Sequence, residues 1–147
     1  MIYRHQFQVK ASLVRVAEFH SRSASMAEIT PPPIIARVHN APAVLAEGDE
    51  MSFTLWLGPL PIHWLARIEG VSPGGFTDRQ LRGPFSEWVH RHTYKAVNDQ
   101  VTDVMDEITL KIRLHPIWGL VGVGMRLGLP ILFAYRAWKT KRILDDS

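Results

Sequence analysis

The feature that most constrains the fold is a strict alternation of side chains over residues 102–113. Side chains two residues apart share one face of a β-strand, so the alternation predicts a strand with one buried face. Asp106 falls within the apolar set, which predicts a carboxylate inserted into an apolar row. The members of that set are Thr102, Val104, Asp106, Ile108, Leu110 and Ile112.

A second alternation occupies residues 75–94, which are typical of two strands joined at Gly83-Pro84. In the second of these strands a set that contains the charged residues Glu87 and Arg91 alternates with aromatic and imidazole side chains. The charged set belongs in water, so the other set should face the interior, which is more typical of a pocket wall than of a packed core. The inward set is Trp88, His90, His92 and Tyr94.

The two alternating strands are expected to form a hairpin near Asn98-Asp99. Because hairpin partners share a buried face, the histidine face matches the Asp106 face only if the turn contains an odd number of residues. Such a turn would place Asp106 opposite or diagonal to His90 and His92.

The rest of the pattern predicts four more strands and up to three helices, which together indicate an α+β fold with the sheet curled around the last helix. A first helix is expected after Ser12 as N-cap, with Glu18 and His20 turned outward. Asp78 and Gln80 are expected to point inward. The predicted elements are strands 2–9, 34–39, 51–57, 61–71, 76–82, 87–97 and 102–113, and helices 13–19, 24–29 and 116–144.

Composition bounds the class of protein. The 147 residues, 46% hydrophobic and 21% charged, predict one globular domain over residues 1–147. The net charge of +3 is mild and scattered, so nucleic-acid binding is not inferred. The absence of cysteine excludes disulfides and thiolate chemistry. The first ten residues lack the apolar core of a signal peptide, which favours a cytoplasmic location.

Residues 117–135 are nearly all apolar, which raises the question of a membrane span. A spanning helix needs about 20 apolar residues. Arg126 and Pro130 lie near the middle of the segment and favour a buried helix of a soluble domain instead. A peripheral membrane contact through this helix stays open, because Trp138 is followed by basic residues that suit anionic lipid.

Three motifs in this order resemble the polyketide cyclase/dehydrase branch of the START-like (SRPBCC) ligand-binding superfamily. The resemblance implies a helix-grip fold, with a seven-stranded antiparallel sheet around the C-terminal helix and a deep cavity between them. Relatives bind lipids, hormones or polyketide-like ring compounds there. The motifs are Phe76-x-Asp78-x-Gln80-x-x-Gly83-Pro84-Phe85-x-x-Trp88-x-His90-x-His92-x-Tyr94, Thr102-x-x-x-Asp106-x-Ile108 and Leu132-Phe133-x-Tyr135-Arg136.

These observations favour a binding module for a hydrophobic or amphipathic small molecule, either as a monomer or as a homodimer. Trp64, Trp88 and Phe133 would supply apolar contacts, and polar side chains would orient the other end of the ligand. The expected polar or amphipathic contacts are Asp78, Gln80, His90, His92, Tyr94 and Asp106.

Two alternatives use the same side chains. His90, His92 and Asp106 could act as a general acid/base group of a cyclase or dehydratase, although a hydrogen-bonded core network would contain the same residues. The two histidines and a carboxylate could also present three ligands to zinc or iron. No third histidine is clearly on that face, so neither a metal nor another cofactor is expected.

Overall fold

The computed structural model describes residues 1–145, so residues 146–147 of the predicted domain lie outside the described part of the chain. The strands form one antiparallel sheet in the order β1-β7-β6-β5-β4-β3-β2. The predicted α+β class, seven-stranded sheet and long C-terminal helix are confirmed. The elements are β1 (Ile2–Val9), α1 (Leu13–Ser21), α2 (Ser25–Glu28), β2 (Ile35–Asn40), β3 (Glu50–Leu57), β4 (Leu60–Ser72), β5 (Gly75–Arg82), β6 (Glu87–Asn98), β7 (Val101–Lys111) and α3 (Pro116–Leu144).

Local capping explains where the two longer helices begin. Ser12 precedes α1 in an extended conformation, and its Oγ accepts a hydrogen bond from the Arg15 amide at 3.3 Å. His115 does the same for α3, because its Nδ1 accepts from the amides of Ile117 and Trp118 at 3.1 Å each. Pro116 then occupies the first turn, where no amide hydrogen is required. The predicted helix starts at Ser12 and His115-Pro116 are therefore confirmed.

The β6–β7 hairpin contains a β-bulge, which gives the odd number of connecting residues that a shared buried face requires. Asn98 pairs with Val101, so the turn itself contains an even number of residues, and the extra residue Val97 restores the odd count by the next pair, Ala96 with Thr102. As a result His92 lies opposite Asp106 and His90 lies diagonal to it. The predicted juxtaposition of Asp106 with both histidines is confirmed.

The core lies between the inner face of the sheet and one side of α3. The buried face predicted for β7 is confirmed, with Ile108 fully buried, and Trp64 of β4 is buried in the same cluster. Leu129 and Phe133 of α3 are fully buried against them. Gly122 permits this close approach, because a Cβ there would lie 3.2 Å from Ile112 Cδ1.

The prediction that α3 is a buried helix is right for one face and wrong for the other. A single sheet covers only one side of a helix, and within residues 1–145 no element packs on the opposite side. Leu120, Leu127 and Ile131 therefore lie exposed. The helix is long and apolar enough to cross a membrane by length and composition.

Candidate functional site

A cavity of about 420 Å³ lies between the sheet, α2 and α3. Its walls are mainly apolar and come from β3, β4, α2 and α3, with Met26, Phe53, Ile68 and Leu132 among them. The volume falls within the range of small-molecule sites, which are concave, mostly apolar and equipped with a few placed polar groups. The cavity therefore has the dimensions and the chemistry of a ligand site.

Aromatic rings form one wall of this cavity. Trp64 stacks on Phe53 at 5.7 Å between ring centroids and meets the edge of Trp88 at 5.3 Å. Phe85 closes the group behind them, 4.9 Å from Trp88. Rings in these offset and edge-on arrangements hold each other in place, so the wall is a rigid apolar surface.

Next to the aromatic rings along β6 lies a compact group of two histidines and two carboxylates, of which Asp78, His90 and His92 line the cavity. His90 Nε2 donates to Asp106 Oδ1 at 2.7 Å, and His92 Nε2 donates to Asp78 Oδ2 at 2.7 Å. The two imidazoles stack with centroids 3.8 Å apart. The Nδ1 atom of each ring lies near the carboxylate that its Nε2 does not contact. His90 Nδ1 is 3.7 Å from Asp78 Oδ2, and His92 Nδ1 is 3.5 Å from Asp106 Oδ1. We call these four residues the His–Asp square.

Strand register creates the square. Asp78 pairs with His90 across β5–β6, and Asp106 pairs with His92 across β6–β7. The short hydrogen bonds nevertheless run to the diagonal neighbour, since diagonal residues in a twisted antiparallel sheet lie within reach of longer side chains. Alternation along three adjacent strands thus places all four polar side chains on the inner face.

The square holds both carboxylates ionised and favours the neutral form of His92. Burial raises the pKa of Asp106, but the hydrogen bond from His90 and nearby positive charge, chiefly that of His90, lower this pKa well below its usual range. The pKa of Asp78 is also lowered, because its contacts with His90 and His92 outweigh the effect of burial. Burial and the neighbouring His90 lower the pKa of His92.

Arg136 of α3 is a site residue that the sequence analysis missed. Its side chain lines the cavity and makes no hydrogen bond or ion pair within the described residues 1–145; its one ring contact is to Phe133, at 5.4 Å. Burial lowers the pKa of Arg136, and the charges of Asp106 and Asp78 partly offset that effect. The helical spacing Val121, Met125, Gly128, Leu132, Arg136 was a signal that could have found it, since all five line the cavity.

His20 corrects a second prediction, because it points inward rather than outward. It follows Val16 by one helical turn, and its Nδ1 donates to the Val16 carbonyl oxygen at 2.8 Å. The ring lies 5.0 Å from Tyr94 and 6.3 Å from His92, and it lines the cavity. It is therefore a third histidine in the cavity wall, where the sequence indicated two.

Five of the nine predicted ligand-contacting residues line the cavity, namely Trp64, Asp78, Trp88, His90 and His92. Asp106 lies behind the two imidazoles and reaches the cavity only through them. Whether any of the nine contacts a ligand stays a prediction.

The structure places the other three predicted residues outside the cavity wall. The side-chain amide of Gln80 binds the connection between β5 and β6. Its Oε1 accepts a hydrogen bond from the Phe85 backbone amide, and its Nε2 donates one to the Phe85 carbonyl oxygen. Tyr94 lies beyond His20 in a smaller pocket against α1, with a buried hydroxyl that has no partner within residues 1–145. Phe133 packs on the rings of Tyr3 and His5 from β1.

Asp78, His90 and His92 form a group that could hold a metal ion, with one ligand atom each and all three atoms within 4.8 Å. The donor set is that of the two-histidine, one-carboxylate sites of iron and zinc. Asp106 would then orient His90 from behind. Binding through His92 Nε2 would require the proton on that nitrogen to move to Nδ1, which lies 3.5 Å from Asp106 Oδ1, and it would bring a divalent ion close to the Arg136 cation.

His20 predicts a dependence of stability on pH. Burial lowers its pKa from 6.5 to about 4. Between these two values the unfolded chain binds a proton that the folded chain does not, so the free energy of unfolding should fall as the pH drops through this window. The limit is about 1.4 kcal/mol per pH unit. We expect His20→Gln to reduce this slope in urea unfolding between about pH 7 and pH 4.5; an unchanged slope would contradict the assignment to His20.

No protein-family model and no curated protein matches the sequence. Solved structures are nevertheless similar over nearly the whole chain. A protein from Chromobacterium violaceum has a TM-score of 0.72 and 14% identity, covering 100% of this chain and 99% of that one. The Zhui aromatase/cyclase from Streptomyces sp. R1128 has a TM-score of 0.65 and 16% identity, covering 97% and 95%.

A START superfamily protein from Mycobacterium smegmatis has a TM-score of 0.66 and 10% identity, covering 95% of this chain and 98% of that one. At sequence identities this low, the structural similarity shows a shared fold and nothing further. The order of strands and the long C-terminal helix agree with that likeness. The chain therefore has the START-like fold that these structures share, which is the fold that its sequence motifs predict.

Proposed function

We propose that this protein binds a hydrophobic small molecule, of the lipid, isoprenoid or aromatic polyketide-like class, that carries an oxygen acceptor at one end. The observation that carries the proposal is the unpaired Arg136 guanidinium in the wall of an otherwise apolar cavity of about 420 Å³. Arg136 is half-buried, and its guanidinium finds no hydrogen-bond acceptor within residues 1–145, so a ligand oxygen in the cavity would supply one.

The polar wall suits a carbonyl or hydroxyl oxygen better than a second strong anion. Asp78 and Asp106 are already ionised beside Arg136, so a further full negative charge would meet repulsion. Arg136 can donate to the ligand oxygen while the aromatic wall around Trp64 and Trp88 covers the apolar body. The structural neighbours support the coarser role, ligand binding or cyclase chemistry, since their names include an aromatase/cyclase and a START superfamily protein.

A binding panel tests the proposal directly. We expect at least one of a fatty acid, a sterol, a farnesyl compound and an aromatic polyketide to form a 1:1 complex in native mass spectrometry. The same compound should change the fluorescence of Trp64 and Trp88, which line the cavity. Failure of every compound in both measurements would contradict the proposal.

Filling the cavity from α3 should weaken binding without loss of stability. Gly128 lines the cavity, and a Cβ at this position would have no atom within 4 Å. Gly128→Leu would occupy ligand space, so we expect affinity to fall at least about tenfold. Removing a helical glycine should raise stability by about 0.5–1 kcal/mol. Gly128→Ala is the matched control, with the same backbone gain and little added volume; equal affinities for both variants would contradict a ligand at this position.

A second candidate function is proton transfer on the bound compound, as in a cyclase or dehydratase. It is favoured by the His92–Asp78 pair, which lines the cavity as a neutral imidazole beside an ionised carboxylate. In this case His92→Gln should abolish exchange of deuterium into the carbon next to a ligand carbonyl while leaving affinity largely intact. A pure binding role predicts the opposite, namely no exchange in either protein and weaker binding by the variant.

A further inference from the structure

The outer face of α3 is an exposed apolar surface that the ligand site does not use. Six large apolar side chains follow one another on this face, with 74% of Leu120, 73% of Leu127 and 76% of Ile131 exposed. Their spacing of three, four or seven residues keeps them on one side of the helix. We call this set the outer stripe; its members are Ile117, Leu120, Val123, Leu127, Ile131 and Trp138.

No polar side chain interrupts the outer stripe. The other exposed positions between Ile117 and Trp138 are Gly124, Pro130 and Ala134. At 1.5 Å per residue the stripe is about 32 Å long. Continuous apolar patches of this extent are uncommon on monomeric soluble proteins and mark surfaces that bind a partner or a membrane.

The charge of α3 identifies the partner as an anionic surface. Apart from Arg136, which lines the cavity, the helix contains four basic residues, and it contains no acidic residue. Lys139, Lys141 and Arg142 follow the stripe directly, and the Arg142 guanidinium lies 5.2 Å from the ring centroid of Trp138. An apolar helix face that ends in tryptophan and basic side chains is typical of helices that lie in the headgroup region of anionic membranes.

The outer stripe also adjoins the cavity. Gly124 is exposed on the outer side of α3 and lines the cavity as well. A Cβ at Gly124 would have no atom within 4 Å, so α3 leaves open space at this point. The apolar surface and the apolar cavity therefore meet along the same helix.

We propose that α3 docks this protein on an anionic phospholipid membrane, with the outer stripe inserted at the boundary between headgroups and acyl chains. The helix lies flat and does not span the bilayer. Its inner face carries Leu129 and Phe133, which complete the hydrophobic core, so withdrawing the helix would expose the sheet. Arg136 would also be buried in hydrocarbon in a spanning helix, at high cost.

Vesicle flotation tests the docking. The wild-type chain should float with vesicles of phosphatidylcholine and phosphatidylglycerol, and much less with phosphatidylcholine alone. Leu127→Glu combined with Ile131→Glu should reduce the floated fraction at least about tenfold, because two charged side chains replace apolar ones in the inserted face. Val14→Glu is the matched control, since Val14 is 65% exposed but lies on α1; it should float like the wild type.

Three results would overturn the proposal. The first is that the wild type does not float and instead sediments as a dimer, whereas the double variant sediments as a monomer. This result would show that a second copy of the chain covers the stripe. The second is retention of the wild type on vesicles after washing at about pH 11, which would indicate a spanning helix. The third is equal flotation of the double variant and the wild type. Ligand binding in solution is scored separately, so failure of docking leaves the proposed function standing.

Discussion

Asp106→Ala is expected to lower the free energy of unfolding by about 3–5 kcal/mol, the usual cost of removing one partner from a buried ion pair. Asp106 is 7% exposed and accepts a 2.7 Å hydrogen bond from His90 Nε2. Its removal leaves a buried imidazole N–H without an acceptor and deprives Arg136 of a nearby negative charge. Urea unfolding at about pH 7 measures the loss.

The effect of Asp106 should depend on pH in a defined direction. The pKa of Asp106 is lowered in the folded chain, chiefly by His90 against the opposing effect of burial. Its stabilising contribution is therefore fully present above the unfolded pKa of about 3.9 and is lost as the pH falls through the folded value. The difference between wild type and Asp106→Ala should accordingly shrink below about pH 4.

Asp103→Ala is the matched control, since Asp103 lies on the same strand and on the opposite face. It should change stability by less than about 0.5 kcal/mol. Asp106→Asn should fall between the two, because the amide oxygen can still accept a hydrogen bond but carries no charge. Equal losses for Asp103→Ala and Asp106→Ala would contradict the role assigned to the His–Asp square.

Arg136→Met is expected to weaken binding of the best-bound compound of the panel about 10- to 100-fold, because hydrogen bonds from charged groups contribute about 1.5–3 kcal/mol. Methionine preserves most of the apolar length of arginine and supplies no donor. The fold should persist, since within residues 1–145 the guanidinium makes no hydrogen bond or ion pair that the substitution would break. Titration by tryptophan fluorescence and unfolding in urea give the two quantities.

The matched control for Arg136 is Arg142→Met, which removes an exposed guanidinium from the same helix. This control should leave affinity unchanged. Comparison of a ligand with its analogue that lacks the oxygen sharpens the test, because Arg136→Met should weaken only binding of the oxygen-bearing compound. Equal losses for both compounds would show that Arg136 acts through packing rather than through a hydrogen bond.

The sequence predicted much of the His–Asp square because strand alternation is a local property. His90, His92 and Asp106 each fall in an alternating set, and hairpin pairing requires those sets to share a face. The bulge at Val97 was not predicted, but the odd number of residues that it produces between the paired strands was predicted. The sequence placed Gln80 on the correct face but did not predict its hydrogen bonds. The side-chain amide of Gln80 bonds to the backbone of Phe85, which belongs to an irregular connection between strands.

By itself the sequence determined the strands, their buried faces, the helix starts and the approach of Asp106 to two histidines. Only the tertiary structure decided that His20 and Arg136 enter the cavity, that Tyr94 and Phe133 do not, and that one side of α3 is uncovered. The physical reason is that periodicity assigns a side chain to a face of its own element. What lies against that face depends on how separate elements pack, and a single sheet can cover only one side of a long apolar helix.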